Sequence, residues 1–110
     1  MTNTPDKWVV IKIEGKDVPL CYKVFACWYG GYDGSDSWKL NSGIKYVTED
    51  DTSFIFVGYS ESTYKCYKGY YGLHNYGLGI LNDIIERSEH NGVKVEILPE
   101  DTNWVDLKYE

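Results

Sequence analysis

The sequence is poor in the residues from which catalytic and metal sites are usually built: two histidines, three cysteines and one methionine among 110 residues. Cys21, Cys27 and Cys66 form an odd set without a CxxC pair and match no compact zinc spacing. Reduced, buried thiols are therefore expected rather than a disulfide framework or a metal centre. Proline is equally scarce, with three residues, and no Pro/Ser-rich linker or internal repeat divides the chain. Basic residues number 11 against 17 acidic ones, a formal charge of −6. That balance argues against direct nucleic acid binding, which depends on Lys and Arg displacing counterions, and favours a partner with a basic surface. Long apolar runs are also missing. The opening "MTNTPD" has no basic segment leading into an apolar one, and no later stretch reaches the length of a membrane span. A cytoplasmic chain that does not enter a membrane is expected.

What the sequence does contain is apolar and aromatic material, 43% and 16% of residues, too much for a disordered chain. One domain over residues 1–110 is expected, with 1–6 as a loose lead-in. Trp8 to Glu14 alternates Val9, Ile11 and Ile13 against Lys12 and Glu14, the period of a half-buried strand. Leu20 to Trp28 is mostly apolar on both faces, as in a central strand. "YGGYDGSDS", Tyr29 to Ser37, is rich in turn residues and reads as a long loop. Gly43 to Thr48 and Ser53 to Tyr59 form a hairpin around Glu49-Asp50-Asp51-Thr52, with Phe54, Ile55, Phe56 and Val57 all available to the core. Thr63 to Tyr67 adds a short strand.

The spacing then turns helical over Leu78 to His90, with Leu78, Leu81, Ile84 and Ile85 on one face and Asp83, Glu86 and Glu89 on the other. Asn91-Gly92 stops the helix, Val93 to Ile97 is a further strand, and Pro99 ends it. The tail from Thr102 carries Trp104, Val105, Leu107 and Tyr109 and should dock as a last strand or edge. The expected fold is α+β: an antiparallel β-sheet or partly open barrel of about five to six strands with one amphipathic helix packed on it.

No catalytic constellation is expected. His90 suits the end of a helix, where the dipole favours a cation. Cys66 and His74 could pair as nucleophile and base, but nothing nearby supplies a third, orienting group. The carboxylates fall in turns or on a solvent face. Gly77-Leu78-Gly79 opens the helix without the lysine of a phosphate-binding loop, and reads as a tight turn with close packing. No cofactor is expected.

Eleven tyrosines cluster near glycines, and the stretch "YKCYKGYYGLHNYG" from Tyr64 to Gly77 is the densest. Tyrosine combines a large apolar face with a hydroxyl at low entropic cost, which suits binding surfaces. Tyr64 belongs to a strand and to the fold. Tyr29 and Tyr32 of the first loop, with Tyr67, Tyr70, Tyr71, His74 and Tyr76 of the second, are the candidate contacts, joined by Asp83, Glu86 and Glu89 of the helix.

"WKLNSGI" at Trp38 to Ile44, followed by "GYSESTY" at Gly58 to Tyr64, resembles a group of small uncharacterised bacteriophage proteins that share an "SGI" strand start and a later "SGSxY" strand. Glu61 stands where that pattern has glycine. The resemblance implies a phage accessory protein in the host cytoplasm that binds a host or anti-phage defence protein to inhibit or redirect it. Two alternatives stay open: a small-molecule or nucleotide-sequestering protein using the tyrosine loops, and a virion structural or assembly protein.

Overall fold

The computed structural model describes residues 2–30 and 34–109. It is an α+β fold with eight strands and one helix among those residues. Ahead of the first long strand, where the sequence suggested a loose lead-in, Thr2–Asn3 forms a short strand, β1, and Pro5 is buried. The alternating segment is β2, Lys7–Gly15, and the doubly apolar segment is β3, Val18–Trp28. Ser37–Leu40 forms β4, a short strand that begins at the last residue of the expected loop. The expected hairpin is β5, Ile44–Glu49, with β6, Ser53–Gly58, and Thr63–Tyr67 is β7. The helix, α1, spans Asn75–His90 and leads into β8, Val93–Ile97.

These strands form two open four-stranded sheets, in the orders β1-β7-β6-β5 and β4-β3-β2-β8, where the sequence suggested a single sheet or partly open barrel. All neighbours are antiparallel except β1 and β7, which pair in parallel through Thr2↔Thr63 and Asn3↔Tyr64. The architecture is three layers deep. One buried cluster, with Trp8, Val24, Phe56, Tyr64 and Trp104, lies between the sheets. A second, with Ile11, Phe25, Cys27, Leu81 and Val95, lies between the second sheet and α1. Strands β2 and β3 therefore bury both faces, which is why Leu20 to Trp28 is apolar on both.

The first sheet has only its inner face covered, so the Phe54 to Val57 run divides. Phe56 is fully buried and Phe54 packs against the inter-sheet cluster. Ile55 and Val57 belong to neither cluster and remain part-exposed on the outer face, a correction to the expectation that all four fill the core.

The C-terminal segment does dock, but as turns rather than as a strand. Thr102 N–H bonds the Pro99 carbonyl at 3.1 Å and Leu107 N–H the Asn103 carbonyl at 3.1 Å. This folds Trp104 into the inter-sheet cluster at 1% exposure. Its ring lies 6.0 Å from Trp8 and 6.2 Å from Phe56 between centroids. Edge-on aromatic packing of this kind adds to simple area burial.

The helix begins three residues before the sequence suggests. His74 is its N-cap in an extended conformation, and the Leu78 N–H reaches the His74 carbonyl at 2.9 Å. Gly77 thus lies inside the first turn rather than in a preceding one. A Cβ there would sit 2.7 Å from Cys27 Sγ and 3.1 Å from the Tyr29 hydroxyl. Close packing, one half of the expected role for this glycine pair, accounts for Gly77. Gly79 meets nothing within 4 Å.

Candidate functional site

The tyrosine segment is not one surface. After β7, the chain leaves the first sheet at Tyr67, crosses to the second at Tyr71, and starts α1 beyond His74. Two separate aromatic pairs result. Tyr67 and Tyr70 meet edge-on with centroids 5.9 Å apart, and Tyr70 is 53% exposed. They line a groove of about 380 Å³ with Asp51, Thr52 and Lys68. Tyr29 and His74 form the second pair, 4.6 Å apart, and the His74 N–H donates to the Tyr29 hydroxyl at 2.9 Å. Tyr32 lies outside the described residues.

Tyr71, between the pairs, is committed to the interior. Its ring packs at a right angle on Trp8 with centroids 4.8 Å apart. Its hydroxyl accepts the Val10 N–H at 3.1 Å and donates to the Leu98 carbonyl at 2.6 Å. Burial pushes its pKa up to about 12, against the opposing pull of the Val10 hydrogen bond. Both hydrogen-bonding functions of the phenol are consumed by the fold.

On α1, Tyr76 and Asp83 are seven residues apart, two full turns, and share one face with Glu86. Glu89 flanks that face. Asp83 pairs with Arg87 at 3.1 Å on the surface, whereas Glu86 and Glu89 make no ion pair among the described residues. Arg87 shares that face and offsets the charge of Asp83, so the negative field of the stripe rests on Glu86 and Glu89. It stands on the side of α1 away from Leu81, which anchors the helix at 0% exposure.

Cys66 and His74 do not meet. Cys66 is fully buried between the sheets, where desolvation holds its thiol well above the ordinary range, whereas His74 is exposed and packs on Tyr29. Cys27 is likewise buried, and its thiol is raised by burial, although its hydrogen bond with the Tyr29 side chain opposes this. Cys21 is part-exposed. No group of three or more His, Cys, Asp or Glu side chains arranged to hold a metal occurs among the described residues. No helix among them is long and apolar enough to cross a membrane.

A surface that sequence reasoning missed is the outer face of the first sheet. The registers Thr48↔Ile55↔Lys65 and Tyr46↔Val57↔Thr63 place these side chains together, beside Tyr67. Tyr46 is 50% exposed, and the Lys65 amino group stands 5.7 Å from the Tyr67 ring centroid. The signal was the alternation of Ile55 and Val57 with the two phenylalanines, masked because all four residues are apolar.

Comparison of the chain with protein-family models, curated proteins and solved structures finds no match.

Proposed function

We propose that this chain is a non-catalytic binding protein that docks the acidic face of α1 onto a basic protein surface. The observation that carries this reading is the stripe of Tyr76, Asp83 and Glu86, flanked by Glu89, in which two carboxylates have no ion-pair partner among the described residues. Carboxylates of this kind accelerate encounter and reject acidic competitors, while a tyrosine at the end of the stripe supplies desolvated contact area. Following the phage resemblance, the partner is a host or defence protein that is inhibited or redirected by being covered.

The test is affinity capture from bacterial lysate by wild type and by an Asp83→Asn/Glu86→Gln/Glu89→Gln variant, in low and high salt. Proteins with basic surfaces should be captured by wild type, released by salt and absent from the variant. Equal capture by the variant removes the helix face from the mechanism.

The Tyr67/Tyr70 groove favours a second reading, in which a planar small molecule stacks on an exposed ring beside the Lys68 ammonium. A stacked base should quench tyrosine fluorescence in wild type and not in Tyr70→Ala. Silence across a nucleotide panel would count against it.

A further inference from the structure

By topology four strands lie at sheet edges, β1 and β5 in the first sheet and β4 and β8 in the second. Three are poor templates for another strand. β1 is two residues long and β4 four, with the Lys39 amino group reaching over to the Asn3 side chain at 3.3 Å. β5 is broken by a register shift between Ile44 and Tyr46, and its Glu49 is held by Lys68 at 2.6 Å. β8 differs: Val93–Ile97 runs in unbroken register with β2.

We propose that β8 pairs with β8 of a second copy of this chain, antiparallel about a two-fold axis at Val95, joining the two β4-β3-β2-β8 sheets into one. Three observations carry this. The first is hydrogen-bonding phase. Leu98 N–H bonds the Val10 carbonyl at 2.9 Å, so Leu98, Glu96 and Lys94 turn their backbone groups toward β2. Val93, Val95 and Ile97 turn theirs outward. A two-fold at Val95 sets Val95 against its own copy and Val93 against Ile97, so that all the outward groups find partners.

The second is charge. The same axis sets Lys94 of each copy opposite Glu96 of the other. Lysine on an edge strand ordinarily discourages pairing with another edge. Here the glutamate two residues later reverses that, because the symmetry matches unlike charges twice. The pattern also extends one already present in the chain, where Lys12 faces Glu96 and Glu14 faces Lys94 across β2 and β8. Along one row of the joined sheet the order is Glu14, Lys94, then Glu96 and Lys12 of the second copy, alternating in sign at each step.

The third is burial. Val93 and Ile97 pack only partly into the cluster beneath α1 and keep apolar surface at the edge, which the second copy covers. A closed isologous pair of this kind does not propagate into a fibre. It is independent of the helix-face reading above.

Sedimentation equilibrium across a dilution series tests this with wild type, Lys94→Glu and Glu96→Lys. Both positions are exposed, and the one like pair that each variant also sets against β2 within its own chain is unchanged by mixing, so rescue on mixing separates that effect from the interface. Wild type should reach twice the monomer mass, and each variant should self-associate about tenfold more weakly, because it opposes two like pairs. Mixing the two variants in equal amounts should restore the dimer. In the mixed pair the glutamate introduced at position 94 meets the lysine introduced at position 96, while the unchanged Glu96 of one copy meets the unchanged Lys94 of the other. A wild type that stays monomeric throughout, a dimer equally tight in all three proteins, or weakened variants with no rescue on mixing would each overturn the proposal.

Discussion

Val10 and Leu98 face each other across the continuation of the β2–β8 ladder, yet only one of their two hydrogen bonds is direct. Leu98 N–H reaches the Val10 carbonyl at 2.9 Å, while the return bond passes through the Tyr71 hydroxyl, which accepts from Val10 and donates to Leu98. Tyr71→Phe should therefore strand a donor and an acceptor and cost about 1–3 kcal/mol in denaturant unfolding. The phenol must be neutral to donate. Its folded pKa is raised from 10.0 to about 12, so its contribution is complete below pH 10 and fades as pH climbs toward 12. The stability gap between wild type and Tyr71→Phe should narrow over that window; a constant gap would separate the hydroxyl from the effect.

Gly77 and Gly79 occupy the same helix turn with opposite surroundings. Gly77→Ala drives a methyl group to 2.7 Å from Cys27 Sγ, within a packed interior, and should destabilise by about 1–3 kcal/mol despite alanine's better helix propensity. Gly79→Ala enters open space and should stabilise by about 0.5–1 kcal/mol. Thermal melts of the two proteins should shift in opposite directions.

Glu61, in the β6–β7 connection, holds φ at 67°, the left-handed region that a side chain disfavours. Glu61→Gly relieves that strain, less the extra freedom glycine gains when unfolded, and should stabilise by about 0.5–1 kcal/mol. Urea midpoints of the two proteins decide this. A lower midpoint for the glycine variant would mean that Glu61 is not strained.

Asp50 organises the β5–β6 turn. Its Oδ1 accepts the Thr52 and Ser53 N–H groups at 2.9 and 2.7 Å and the Ser53 hydroxyl at 2.9 Å. These bonds, the Thr52 N–H foremost, hold its pKa down from 3.8 to about 2. A lowered folded pKa stabilises above the unfolded value and is lost on acidification, here between about pH 4 and pH 2. Asp50→Asn should be less stable than wild type at neutral pH, and the difference should shrink across that acid range. A difference that is unchanged by pH would place the effect elsewhere in the turn.

The strands legible in the sequence were those with an unambiguous period. Val9, Ile11 and Ile13 announced β2, and the doubly apolar β3 announced an interior strand before any second layer was visible. Two sheets were not legible, because Phe54 to Val57 presents four apolar residues in succession and hides which pair faces out. β1 and β4 escaped because two and four residues hold too little alternation to register. The helix start was obscured by Gly77, whose low propensity signals a break, while the reason for it, Cys27, lies on another element. The tyrosines show the same limit. Nothing local to Tyr71 separates it from Tyr70, since the groups that claim its hydroxyl are distant in sequence.

Trp104 fills the space between sheets whose first strands precede it by most of the chain; β1 pairs with β7, and β2, already paired with β3, gains its second neighbour only in β8. Contacts of such long range cannot form early during synthesis. A ribosome carrying this chain thus holds an unfinished sandwich, its hydrophobic interior open to chaperones, until Trp104 clears the exit tunnel. Folding waits on that late arrival, and the apolar faces of both sheets stay uncovered until the segment that carries Trp104 has docked.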